Sequence, residues 1–236
     1  MECFASRQDL PCRFGHALDE RAVEYPWFLA GLPHHPGRLL DLGSTLNFEF
    51  LLNQPALGQK DITIATLEPE DVCFWQRRVS YVYCDARDMP FKDDYFDEVV
   101  SISTLEHVGF DNTFYYSQNT ARKEKDSQAY LTAVKETRRI LKPGGTVFVT
   151  VPFGRAVDYE WYQQFDKGMV EQLVEACQPA QWAATYFRYE RGGWRFSNCE
   201  ECQDCVGFHN YDRTPSEEDL PVASMAVAAL EIRKPG

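Results

Sequence analysis

Four acidic clusters follow short apolar runs: Asp41-Leu42-Gly43-Ser44, Glu68-Pro69-Glu70, Asp85-Ala86-Arg87-Asp88 and Thr104-Leu105-Glu106-His107. Carboxylates accept hydrogen bonds from amines and hydroxyls, and a glycine such as Gly43 lets a ligand approach the backbone closely. An imidazole with an ordinary pKa of about 6.5 takes a proton at neutral pH, which makes His107 the first candidate for a general base and Glu106 the second. Acids at successive positions suit a ligand rich in hydroxyl and amino groups. Phosphate recognition would favour Gly-rich loops closed by Lys or Ser/Thr. The chain has no GxxxxGK[ST] and no GxGxxG, which argues against a nucleotide triphosphatase and a standard dinucleotide enzyme.

The apolar runs ahead of these clusters read as strands. They are Leu39 to Leu42, Ile62 to Leu67, Val79 to Tyr83 and Glu98 to Ser103, followed later by Thr146 to Val151. The most β-branched of them have the near-continuous apolar character of strands covered on both faces. From Ser127 to Leu141, Tyr130, Leu131, Val134, Arg138 and Leu141 recur at three- and four-residue steps, which predicts a helix. Lys142-Pro143-Gly144-Gly145 should stop it and turn the chain into the next strand. Strand, helix and parallel strand in this order imply an α/β fold, a three-layer sandwich around a mostly parallel twisted sheet. In such a sheet ligands bind beyond the carboxyl ends of the strands, where the four acidic clusters fall. Two aromatic-rich segments, Ala183 to Tyr189 and Gly193 to Phe196, come after Pro152. The closing run Val222 to Ile232 reads as a strand returning to the sheet.

The balance of residues bounds the function classes. A chain of 236 residues with no repeats or long linkers reads as one domain: an N-terminal helical segment over 1–36, a core over 37–154 and substrate-side elements over 155–236. A formal net charge of −12 opposes a nucleic-acid backbone, so a small-molecule partner is expected. No apolar run approaches the roughly 20 residues that span a bilayer, and the N-terminus lacks an apolar secretory core, which predicts a cytoplasmic protein without membrane contact. Cys199, Cys202, Cys205 and His209 stand within eleven residues, which offers metal-ligand spacing. A closed zinc site usually draws on two separated pairs, and Glu200, Glu201 and Asp204 interleave here. Reduced thiols near a surface turn are the preferred reading, with no metal.

DLGS at 41–44, CDARDMPFKDDYFDEVVSISTLEHVG at 84–109 and RRILKPGGTVFVTVPFG at 138–154 together resemble the Rossmann-like (class I) S-adenosylmethionine-dependent methyltransferases. The resemblance is closest to a branch found near glycan or natural-product biosynthesis. It implies S-adenosylmethionine as cofactor. Asp41 would interact with the methionine moiety, with Gly43 and the adjoining Ser44 allowing close approach. Asp85 and Ala86 would lie against the adenine. Ser103 to His107 would line the methyl-donor pocket and the substrate entrance. Two departures stand out: Thr45 and Asn47 replace further glycines of the first motif, and Thr66 stands where a ribose-binding acid is usual, with Glu68 as its substitute. Asp97 reads as a turn and cap residue.

The segment Gly109 to Lys125 is a polar insertion whose Tyr115, Tyr116, Arg122 and Lys123 either face a substrate or form a solvated loop. Asp158, Tyr159 and Trp161 offer the same choice between substrate contact and packing. The leading expectation is methyl transfer to oxygen or nitrogen of a sugar, glycan precursor or secondary metabolite. Its alternative is a catalytically silent binding or regulatory subunit with the same fold.

Overall fold

A computed structural model describes residues 2–113, 123–207 and 224–236. Five parallel strands form the body of one sheet: β1 (Gly37–Leu42), β2 (Lys60–Thr66), β3 (Val79–Tyr83), β4 (Phe96–Ile102) and β5 (Leu141–Pro152). Three antiparallel strands extend it: β8 (Gln181–Glu190), β9 (Gly193–Ser197) and β10 (Ala226–Arg233). The order across the sheet is β3-β2-β1-β4-β5-β10-β8-β9. Two short strands, β6 (Val157–Asp158) and β7 (Gln163–Gln164), form a separate hairpin.

The sheet is buried on both faces because its central strands carry apolar residues on both sides. α4 (Ala129–Ile140) and α5 (Lys167–Cys177) cover one face through Tyr130, Val134, Leu173 and Val174, against Leu40, Val99 and Val149. α2 (Arg21–Gly31) and the four-residue α3 (Glu49–Leu52) cover the other, with Phe28 and Leu51 packed against Leu39, Ile64 and Phe148. The N-terminal α1 (Glu2–Ser6) adds Phe4 to a cluster with Phe187 and Trp194. This is the three-layer Rossmann-like α/β sandwich that the sequence predicts, with β10 as the returning strand.

Two local expectations change. Lys142 to Gly145 do not form a free turn: β5 starts at Leu141, directly after α4, and the tetrapeptide lies inside the strand at a register irregularity opposite Phe96 and Glu98. Asp97 lies inside β4, where its carboxylate accepts from the Arg38 backbone N–H (2.9 Å) and pairs with Lys142 Nζ (2.5 Å). It ties three strands together and belongs to the structure of the sheet. Among the described residues no helix is long and apolar enough to cross a membrane.

Candidate active site

From β1 the chain runs outward to β2 and β3 and then crosses back to β4 on the other side of β1, so a crevice opens at the carboxyl ends of these strands. A cavity of about 480 Å³ occupies it. Gly43 lines it after β1, Thr66 and Leu67 at the end of β2, Cys84 to Arg87 after β3, and Ser103, Thr104 and His107 after β4. The sheet order sets its long axis. Asp85 and Ala86 lie at one end and Ser103 to His107 at the other, three strand spacings or about 14 Å apart.

The loop after β1 is built by Asp41. Its buried carboxylate accepts from the Thr45 backbone N–H (3.2 Å), the Thr45 hydroxyl (3.1 Å) and the Leu46 N–H (2.8 Å). Burial nevertheless pushes this carboxyl up to about 6. Asp41 does not line the cavity; it shapes the loop that presents Gly43 and Thr45 to it. Gly43 holds φ +105°, and a Cβ there would lie 2.2 Å from Thr104 Oγ1. Asn47 stitches the same loop to its neighbour, donating to Glu70 (3.2 Å) and the Val72 carbonyl (2.9 Å) and accepting from Tyr81 (2.8 Å). The bulk of Thr45 and Asn47 is thus used in holding the loop. Ser44, with a buried hydroxyl that makes no hydrogen bond, lines a neighbouring shallow cleft. Glu68 lies outside the cavity wall, and the β2 position inside it is Thr66.

Asp85 and Ala86 do line the cavity. Arg87 grips Asp85 through Nε (2.9 Å) and Nη2 (2.6 Å) and reaches Glu124 with both terminal nitrogens (2.6 and 2.8 Å). The guanidinium holds the Asp85 carboxyl below its ordinary range. The resulting Asp85-Arg87-Glu124 chain ties this end of the cavity to the segment that follows the polar insertion. Tyr115, Tyr116 and Arg122 of that insertion lie outside the described residues. Lys123 pairs with Asp111 (2.9 Å).

At the other end, His107 stacks on Trp161 (centroids 5.1 Å apart), and its Nδ1 bonds the Trp161 carbonyl (3.1 Å). A carbonyl only accepts, so Nδ1 carries the proton and Nε2 the lone pair. Burial pushes this imidazole down to about 4, well below the value that recommended it as a base. Glu106 is buried beside it, outside the cavity wall, and burial pushes its carboxyl up to about 8. Asp158 accepts from the Glu160 N–H (2.7 Å) as a turn residue, whereas Tyr159, Trp161 and Tyr162 form the aromatic packing behind His107.

Helix α2 supplies residues that the motif reading missed. Glu24, fully buried, accepts from Ser103 Oγ (2.6 Å) and Thr150 Oγ1 (2.7 Å) and pairs with Arg21. It thereby docks the helix on the ends of β4 and β5. Arg21 enters the cavity wall, where among the described residues Arg87 is the only other arginine or lysine. The i, i+3 spacing of Arg21 and Glu24 was a visible signal for their pairing, but their distant partners were not.

Residues 41–149 match the family model described as a methyltransferase domain. Curated proteins provide no match. Among solved structures, the [4+2]-cyclase SpnF is 20% identical with a TM-score of 0.53, the alignment covering 98% of this chain and 90% of that one. An S-adenosylmethionine-dependent methyltransferase from Thermotoga maritima is 15% identical with a TM-score of 0.53, over 89% of this chain and 88% of that one. The YcgJ protein from Bacillus subtilis is 14% identical with a TM-score of 0.52, over 90% and 98%. These likenesses establish the fold, and the matched segment spans the loop after β1, the β3 and β4 ends and most of β5. Over residues 41–149 the chain is thus similar to the methyltransferase-domain family, set on a Rossmann-like α/β fold.

Proposed function

We propose that the cavity binds S-adenosylmethionine and that the protein transfers its methyl group to oxygen or nitrogen of a small molecule: a sugar, glycan precursor or secondary metabolite. The observation that carries this reading is that residues of separate sequence motifs, Gly43, Asp85, Ala86, Ser103 and His107, line one elongated cavity. Its donor set suits the cofactor. Ala65, Leu67, Cys84 and Ala86 offer apolar contact to a flat ring, and Asp85 an acceptor for an exocyclic amine. When bound, the cofactor supplies an electrophilic methyl group.

The chain's own contribution is then mainly positioning, which suffices for large rate gains when nucleophile and methyl are held in line. Ser103, Arg21, Asn112 and Thr113 line the acceptor end and offer it hydrogen bonds. His107, neutral and fixed in its Nδ1–H tautomer, orients an acceptor hydroxyl or amine through Nε2. Its low proton affinity makes it a poor proton store. Glu106 is the stronger base of the two, acting on the pocket through its neighbours. On this reading residues 1–236 work as one domain, with 1–36 and 155–236 forming the acceptor side around the core of 37–154.

A silent binding role has one observation in its favour: Arg87 already engages both Asp85 oxygens. A donor labelled in its methyl group, offered with a panel of sugars, amines and phenolic metabolites, separates the two. Because SpnF shares the fold and is named a cyclase, the assay must detect a methylated product. Label in an acceptor supports the proposal. Tight donor binding without label in any acceptor favours the silent role.

A further inference from the structure

The cysteines of 199–205 are nucleophiles that methyl transfer leaves without a role. α6 (Cys199–Cys202) is capped by Asn198, which accepts from the Glu201 N–H (2.9 Å), and the chain then turns so that the Cys205 N–H donates to the Cys202 carbonyl (3.0 Å). A turn closed by such an i+3 to i bond holds its end Cα atoms within about 7 Å. Disulfides bridge a comparable span, about 4.4–6.8 Å. The Cys202 and Cys205 thiols influence each other's proton affinity, whereas Cys199 acts instead on Tyr186. Cys202 is fully buried and Cys205 is 9% exposed, so a small oxidant has access to only one of the pair. Cys202 and the nearby Arg188 and Arg195 hold the Cys205 thiol below its ordinary range, which favours its thiolate. All three cysteines are reduced here.

We propose that Cys202 and Cys205 form a peroxide-responsive dithiol that closes reversibly to a disulfide. The Cys205 thiolate attacks one oxygen of a hydroperoxide, the O–O bond breaks, and hydroxide leaves, giving a sulfenic acid at Cys205. The Cys202 sulfur then attacks that sulfur, the S–S bond forms and water leaves. Two thiols and one hydrogen peroxide give one disulfide and two waters, the dithiol losing two electrons to the peroxide.

The turn is tied to the site. The Cys205 carbonyl accepts from Arg155 N–H and Gln164 Nε2 (both 2.9 Å), and the Gly207 carbonyl accepts from the Tyr159 hydroxyl (2.9 Å). Tyr159 stacks on Tyr162 (centroids 4.6 Å), beside the Trp161 that backs His107. The pair therefore sits at the far end of the aromatic wall behind the cavity.

The test uses the full-length protein, reduced, freed of reductant, and treated with one equivalent of hydrogen peroxide before thiol alkylation and mass spectrometry. The wild type should lose about 2 Da, show a Cys202–Cys205 link on fragmentation, and recover both thiols with dithiothreitol. Cys202→Ser should stop at a sulfenic acid on Cys205 that dimedone traps, Cys205→Ser should not react, and Cys199→Ser should behave as wild type. Mapping the wild type alone suffices should a serine variant fail to fold. All eight thiols remaining alkylatable, a link through Cys199, or near-stoichiometric zinc that withholds these cysteines until chelated would each overturn the proposal.

Discussion

Gly43→Ala probes the loop that opens the cavity. At φ +105° an L side chain is strained, by about 1–2 kcal/mol. The new Cβ would meet Thr104 Oγ1 at 2.2 Å and Cγ2 at 2.5 Å, contacts that real side chains do not make. Thr104 cannot simply rotate away at no cost, because its hydroxyl donates to the Ile102 carbonyl (3.0 Å). Losing that bond costs about 1 kcal/mol, and overpacking a filled site costs about 1–3 kcal/mol. The sum, about 3–6 kcal/mol, is a large part of the roughly 5–15 kcal/mol that stabilises a typical domain. Urea unfolding at 25 °C measures it. Adding Thr104→Ala removes the atoms at 2.2 and 2.5 Å but leaves Cβ at 2.9 Å, so the double variant should recover about 1–2 kcal/mol of the loss. The reasoning fails if Gly43→Ala lies within about 0.5 kcal/mol of wild type, or if Thr104→Ala recovers nothing.

Other perturbations separate the roles of the buried groups. A carboxyl whose folded pKa exceeds its unfolded value of about 4.3 adds stability below that value and withdraws it as pH rises through the folded pKa. Glu106 does so up to about 8, Glu20 up to about 7 and Asp41 up to about 6, each pushed up by burial. Wild-type stability should therefore fall from pH 4.5 to 8, and Glu106→Gln should be the more stable protein at pH 8 by up to about 4 kcal/mol; denaturation midpoints across that range check it, and a less stable variant at pH 8 refutes it. Asp85→Asn weakens the charged Arg87 grip and replaces one of its two acceptor oxygens by a donor amide at the proposed adenine end, so titration with S-adenosylhomocysteine should show about tenfold weaker binding, about 1.4 kcal/mol. With the His107 imidazole held near 4, the pH profile of kcat/KM should show no His107 limb near neutrality. A limb at about 6.5 that disappears in His107→Gln would return the imidazole to the role of base.

Much of the sheet was legible because its central strands are apolar runs with acidic or glycine ends, and because α4 repeats Tyr130, Val134 and Thr137 on one buried face. What the strand-end reading did not contain was how each acid is engaged. Asp41 and Asp85 look equivalent in sequence, yet one is consumed by the backbone N–H groups of its own loop and the other by Arg87 two residues on. The i, i+2 spacing of Asp85 and Arg87 was a readable signal for the second. Glu24 was not readable in this way, because its partners Ser103 and Thr150 lie 79 and 126 residues away and meet it only once α2 docks on the sheet. The proton affinity of His107 was also hidden, since it depends on burial against Trp161 and Tyr162 from beyond β5. Lys142 to Gly145 read as a break between elements. The structure carries the break inside β5 as an irregularity, because Leu141 already pairs with Phe96.

The cavity at the ends of β1 to β4 is the proposed seat of S-adenosylmethionine. Titration calorimetry of the folded protein with S-adenosylhomocysteine tests it most directly, with Ala86→Trp as the variant that fills the adenine end. The wild type should show one binding site per chain and Ala86→Trp none, at unchanged thermal stability. Folded wild-type protein that takes up no ligand, or Ala86→Trp that binds as tightly as wild type, would contradict it.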